Sequence, residues 1–166
     1  KLSGEVVNSG TYQLVQVAEP RDFDKVFGAD LTTSTEEIFY IKTSRIDGKT
    51  WDYLSYTSHP KYEFVPGKTM LNGNGYYTHY TDLRNHIIKS WDMNDLRYGM
   101  NIGFYVFGKD AYGEYTCLLT KYTDPNAQGN GANVSIPLIR YTDAMLIYSE
   151  ACARVANAPT TESIEM

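Results

Sequence analysis

A chain of 166 residues with 42 % hydrophobic residues has one domain's worth of material and can bury a sizeable core. Its net charge of −5 argues against a nucleic-acid binder, which needs basic patches to neutralise phosphate, and no apolar run approaches the roughly 20 residues that span a bilayer. Tyrosine is over-used, 15 Tyr against 6 Phe and 2 Trp, which suits β-rich and half-wet surfaces where the ring packs and the hydroxyl reaches water or a polar ligand.

Residues 1–9 read as the last turns of a helix stopped by Ser9-Gly10, and Tyr12 to Val15 then runs extended. Phe23 to Gly28 is a short amphipathic piece ending at glycine. Ile38-Phe39-Tyr40-Ile41 is a short apolar run expected to form a buried strand. Asp47-Gly48 marks a turn. From Trp51 to Tyr80 the chain is dense in Tyr, Gly, Asn and Pro without helical period, and Asn72-Gly73-Asn74-Gly75 offers two tight-turn dipeptides. Thr81 to Trp91 has room for a short helix. Tyr105–Phe107 and Tyr115–Leu119 flank a polar turn and are expected to pair as a hairpin, and 124–133 is a polar, Gly/Asn-rich loop.

Ile136 to Ala151 is the most informative stretch. Pro137 favours an extended lead. Leu138, Ile139, Leu146, Ile147, Ala151, Cys152 and Val155 then recur at three- and four-residue steps, which predicts a largely buried helix. Cys152 on that helix reads as a small core hydrophobe, and two cysteines are too few for a disulfide framework. After Pro159 a further helix begins and stops at Met166.

The wording of that helix, Ile139-Arg140-Tyr141-Thr142-Asp143-Ala144-Met145-Leu146-Ile147-Tyr148-Ser149-Glu150-Ala151, resembles the signature helix of the SusD/RagB family. It departs at Thr142 and Ser149, where the family favours Ala. Further matches follow in the family's order: Ser9-Gly10-x-Tyr12-x-Leu14, Glu37-Ile38-Phe39-Tyr40-Ile41, Asp95-x-Arg97 and Lys121-Tyr122. The resemblance implies an α+β, SusD-like fold: a fragment of a tetratricopeptide-type helical scaffold with a loop-rich binding subdomain of short strands and hairpins. Residues 1–9 would end one repeat helix, 10–135 form the binding subdomain, 136–157 the signature helix and 158–166 the start of a truncated one. It further implies a surface-exposed outer-membrane lipoprotein held by a lipid anchor, with a SusC-like TonB-dependent transporter as partner and glycan as ligand.

Catalytic motifs are weak. Glu36-Glu37 and Asp92/Asp95 are the carboxylate pairs to weigh for glycoside hydrolysis, which sets two carboxyls roughly 5–10 Å apart across a sugar; adjacent strand residues, however, point to opposite faces. No nucleophile or phosphate-loop motif occurs. His59, His79 and His86 are scattered and lack metal-ligand spacing. Asp124-x-Asn126-x-Gln128-Gly129 copies the start of a calcium loop, but Ser135 stands where the bidentate Glu belongs. Arg140, Glu150, Asp95 and Arg97 are expected to be paired and structural. Neither a cofactor nor a metal is expected.

The candidate glycan site lies elsewhere, in Trp51, Tyr53, Tyr56, Tyr76, Tyr77 and Tyr80, with Asn72, Asn74 and Asp82 as polar partners. Aromatic faces cover the C–H faces of sugars while amides and carboxylates fix hydroxyls. The expected function is therefore non-catalytic capture of polysaccharide or oligosaccharide. A peptide-binding member of the same family, a glycosidase and a purely structural assembly domain are the alternatives.

Overall fold

The computed structural model describes residues 1–48, 50, 63–65, 67–69, 72, 81–82, 84–104, 116–127 and 131–166. In chain order its elements are α1 (Leu2–Val7), a 3-10 turn (Pro20–Phe23), α2 (Asp24–Phe27), β1 (Glu37–Ile41), β2 (Glu63–Val65), β3 (Lys68–Thr69), β4 (Thr81–Asp82), α3 (His86–Ser90), α4 (Leu96–Asn101), β5 (Ile102–Phe104), β6 (Thr116–Leu119), β7 (Ile136–Arg140), α5 (Tyr141–Ala156) and α6 (Thr161–Ile164). Short helices and short strands are mixed along the chain, as the α+β reading expects. Two compact units result, one from Lys1–Gln16, Thr32–Ile41 and Ile136–Met166, the other from Val17–Leu31 and Lys42–Ser135.

The first unit is built on β7 and α5. β7 pairs antiparallel with β1 in a two-stranded ribbon, with Phe39 opposite Ile139 and Ile41 opposite Ile136. Pro137 is tolerated there because each strand of such a ribbon is an edge. The strand passes into the helix without a loop. Asp143 Oδ2 accepts the Arg140 N–H at 2.7 Å, which closes the first turn and sets a negative charge at the helix N-terminus. At the far end Asn157 takes a left-handed conformation (φ 52°), and the Ala158 N–H returns to the Ala153 carbonyl at 3.1 Å.

Glu36 fastens this arrangement. It is buried, and its carboxylate accepts from the Val15 N–H (3.0 Å), Arg140 Nη1 (3.2 Å) and Thr142 Oγ1 (2.7 Å). Its backbone carbonyl accepts the Tyr141 N–H at 2.8 Å. One side chain therefore ties the extended 12–15 segment to the strand–helix junction. Around α5, helix α1 comes close because Gly4 has no side chain; a Cβ there would sit 2.8 Å from the Tyr148 ring. Tyr141 Oη donates to the Val7 carbonyl (3.1 Å) and its ring stacks on Tyr12. α6 is held by Ser149 Oγ donating to the Ser163 carbonyl (2.6 Å) and by a hydrogen bond between Tyr148 Oη and Glu162.

Two burial expectations fail here. Ala144 is the buried residue of α5, while Leu146, Ile147 and Val155 are 66 %, 59 % and 90 % exposed and Cys152 is half-buried. On β1 only Tyr40 is buried, and Phe39 and Ile41 face solvent. The apolar periodicity marks helix from Tyr141 onward, whereas Leu138 and Ile139, expected on the same helical stripe, lie on β7 and are about half exposed because the extended lead set by Pro137 pairs with β1. The six-residue α1 and four-residue α6 are too short to cover a stripe this wide on a 16-residue helix.

In the second unit β4, β6 and β5 form a sheet with β6 central. The pairing expected between 105–107 and 115–119 lies partly outside the described residues. β6 pairs antiparallel with β5, but β5 begins at Ile102, directly after α4, and 105–107 lie outside the described residues. Tyr98, Ile102 and Cys117 form a core with Ile88 and Trp91, the Trp91 and Tyr98 rings meeting edge-on at 5.9 Å. Asp95 caps α4 through the Arg97 N–H (2.9 Å) and also accepts from Trp91 Nε1 (3.2 Å) and the Arg97 guanidinium. Gly99 lets α4 lie on the 3-10 turn, since a Cβ there would come within 2.7 Å of Pro20. Lys121 stands 4.2 Å over the Phe27 ring, which gives the Lys-Tyr phrase a structural use.

Replacing Glu36 by Ala would leave Arg140 and the Val15 N–H without their shared acceptor. A loss of about 3 kcal/mol is expected, and about 1 kcal/mol for Thr142→Ala, both read from urea denaturation midpoints. Unchanged midpoints in both variants would contradict the role given to Glu36.

Candidate functional site

Of the residues proposed from sequence for glycan contact, Trp51, Tyr53, Tyr56, Asn74, Tyr76, Tyr77 and Tyr80 lie outside the described residues. Asp82 is on β4, opposite Thr116 on β6. Asn72 is exposed and left-handed (φ 49°), a conformation Asn tolerates better than most residues. Its amide nitrogen donates to the Ala127 carbonyl at 3.4 Å, which ties residue 72 to residue 127.

Residues 123–127 begin with a buried ionic cluster. Asp124, within the stretch expected to be a polar loop, is fully buried. Its carboxylate accepts from Arg45 Nη2 (3.0 Å) and from the Asn126 and Asn133 N–H groups (3.0 and 2.6 Å). The same Arg45 nitrogen reaches Asp30 Oδ2 at 2.9 Å, and Nη1 donates to the Asn126 carbonyl at 2.7 Å. The Asn133 amide donates to Asp30 and accepts from Thr43 Oγ1 (2.9 Å). The calcium-loop wording is thus answered by a guanidinium: Arg45 supplies the positive charge between the two carboxylates. Among the described residues, no three His, Cys, Asp or Glu side chains are grouped to hold a metal ion.

Next to this cluster is a cavity of about 340 Å³, at the lower end of ligand-site volumes. Its walls include Arg21, Asp24, Asp30, Lys68, Thr123 and Asn126. Arg21 and Asp24 come from the 3-10 turn and α2, and Arg21 is fixed by donating Nη2 to the Met100 carbonyl at 3.3 Å. Arg21 Nη1 stops 3.6 Å from Asp24 Oδ1, a buried oxygen with no hydrogen-bond partner. Burial pushes the Asp24 carboxyl above the usual aspartate range, with the Arg21 charge opposing. Burial also pushes Asp30 up, but hydrogen bonds from Asn133 and Arg45 and the Arg45 charge outweigh it and leave Asp30 below its ordinary value. Lys68, on β3, is exposed at the edge and belongs to the 51–80 segment picked out by sequence.

The carboxylates weighed for hydrolysis have other work. Glu36 is engaged by three donors. Asp95 is held well below the usual carboxylate range by the Arg97 side chain and backbone and by Trp91, and Asp92 accepts the Asn94 N–H at 2.9 Å in a turn. As expected, Arg140 pairs with Glu36 and Arg97 with Asp95, and Glu150 pairs with Arg154 on the surface. His86 is exposed.

Compared with known families, residues 36–165 match the SusD family. This chain belongs to the SusD family. Its members are known for glycan binding and nutrient uptake, and the family is a binding, non-catalytic one. Searches of curated proteins and of solved structures give no match.

Both departures from the SusD helix wording have a structural use. Thr142 gives its hydroxyl to Glu36 and Ser149 gives its own to α6, bonds that an Ala at either position lacks. Sequence reasoning missed Arg21, Asp24 and Lys68. The run Arg21-Asp22-x-Asp24-Lys25 has the alternating signs of a solvated turn, and Lys25 does pair with Asp22 in that way. Nothing local marks its neighbours as cavity walls.

The opposed shifts give a pH signature. Asp30, depressed in the folded chain, contributes stability that is present above its unfolded value and lost as pH falls through the lower folded one. Asp24, raised, contributes stability that is complete below its unfolded value and lost as pH rises through the folded one. Carboxyl-carbon NMR should show Asp24 titrating above, and Asp30 below, the ordinary aspartate midpoint. Coincident midpoints would contradict the burial and pairing described.

Proposed function

We propose that this SusD-family chain is the capture portion of a cell-surface nutrient-binding lipoprotein, holding neutral glycan non-covalently and handing it to a SusC-like TonB-dependent transporter. The family match over residues 36–165 carries the reading. In it α1, α5 and α6 belong to a tetratricopeptide-type scaffold, and the exposed Leu146, Ile147 and Val155 are the face a neighbouring repeat helix covers. Residues 10–135 supply the binding subdomain. Trp51, Tyr53, Tyr56, Tyr76, Tyr77 and Tyr80 provide ring faces, while Asn72, Asn74 and Asp82 hold hydroxyls. Outer-membrane surface location and a lipid anchor complete the proposal, with no reaction and no cofactor; the engagement of Glu36 and Asp95 in structural bonds supports the non-catalytic part.

A peptide-binding role within the same family is the second reading, favoured by the charges of both signs in the cavity wall. A panel of immobilised neutral glycans and short peptides, offered to the intact protein, separates the two. Glycan retention without reducing-sugar release is expected, weakened about tenfold (about 1.4 kcal/mol) by Trp51→Ala. Peptide retention with no glycan retained would overturn the first reading, and steady sugar release would overturn both.

A further inference from the structure

The cavity beside the 3-10 turn lies in the wall of the second unit, and the glycan-capture reading so far gives it no ligand. We infer that it is a subsite for a single neutral pyranose unit, recognised through a vicinal diol by the Asp24 carboxylate and Arg21 guanidinium. This deepens the glycan-capture reading and rests on it.

Three observations carry it. At about 340 Å³ the space accommodates one sugar ring with water and is too small for a chain of several. Charges of both signs are matched across the wall and the cluster behind it: Asp24 faces Arg21 at 3.6 Å, Arg45 is shared by Asp30 at 2.9 Å and Asp124 at 3.0 Å, and Lys68 stands at the edge, so three cations meet three carboxylates. A ligand bringing its own full charge would lose hydration without gaining a counter-charge. Lys68 sits at the exposed edge, where water screens it. Finally, donors and acceptors alternate around the space, with carboxylates on Asp24 and Asp30, a guanidinium on Arg21, an amide on Asn126 and a hydroxyl on Thr123. Hydroxyls of a diol both donate and accept, so adjacent ones answer a carboxylate and a guanidinium side by side. Burial pushes the Asp24 carboxyl up, and its Oδ1 has no hydrogen-bond partner.

Position adds to the argument. Lys68 at the cavity edge and Asn72, which donates to the Ala127 carbonyl, both belong to the 51–80 stretch of sequence that supplies the aromatic candidates.

The test is calorimetric titration of the intact protein with neutral gluco-, manno-, galacto- and xylo-oligosaccharides, and with charged dipeptides. Two variants are compared with the parent: the isosteric Asp24→Asn and the space-filling Ala29→Met, from the same wall. Thermal melting confirms that each is folded, so failure of one leaves the other decisive. A loss of affinity of tenfold or more for the best oligosaccharide, with Trp51→Ala as an independent reporter of the aromatic surface, is the expected result. Parent-like binding by both variants overturns the subsite while glycan capture stands. A dipeptide bound by the parent and lost in Asp24→Asn overturns the diol assignment. No sugar bound by the parent overturns glycan capture and the subsite together.

Discussion

A carboxylate taken out of water must find donors or it destabilises the fold by several kcal/mol, and each unit of this chain is arranged around one such group. In the first, Glu36 collects a backbone N–H, a guanidinium and a hydroxyl from three separated stretches. In the second, Asp124 collects Arg45 and two backbone N–H groups. The strands involved are short and several helices run to only four to six residues, so apolar burial within single elements is limited. Long-range polar ties of this kind define which segments meet. The cavity follows from the second tie, because Asp30 and residues 123–126 are fixed by Arg45 before they become its walls.

Much of the scaffold was legible in the sequence. Pro137 ahead of a three- and four-residue apolar rhythm gave the strand-to-helix junction, and Gly28 closes α2 as read. The charged residues of the signature were expected to be paired, and are. Burial was misjudged, since periodicity reports which face is apolar and says nothing about how much neighbouring chain exists to cover it. Leu146, Ile147 and Val155 show that gap. Asp124 shows the complementary gap: besides the local Asn126 N–H, its donors lie 79 and 9 residues away, at Arg45 and Asn133, and the long-range guanidinium that lets it be buried leaves no local pattern.

The same distinction separates family from site. The SusD signature resides in bonds that hold α5 in place, and those bonds engage its charged residues. Arg140 serves Glu36 and Asp143 serves its own helix terminus. The proposed capture role assigns recognition of ligand to turns and loops, the usual carriers of binding groups on a rigid scaffold. Candidate aromatics there were visible from composition alone. The cavity was not, because it is assembled from a charged turn, a hairpin residue and a distant loop that share no motif.

The central claim is that α5 is scaffold and that ligand meets the 20–30, 51–82 and 123–127 segments. Hydrogen–deuterium exchange on the intact protein, with and without the neutral oligosaccharide it binds best, addresses this directly. Slowed exchange in those three segments with 141–156 unchanged is the predicted result. Protection confined to 141–156 would contradict it, and would return the signature helix from scaffold to site.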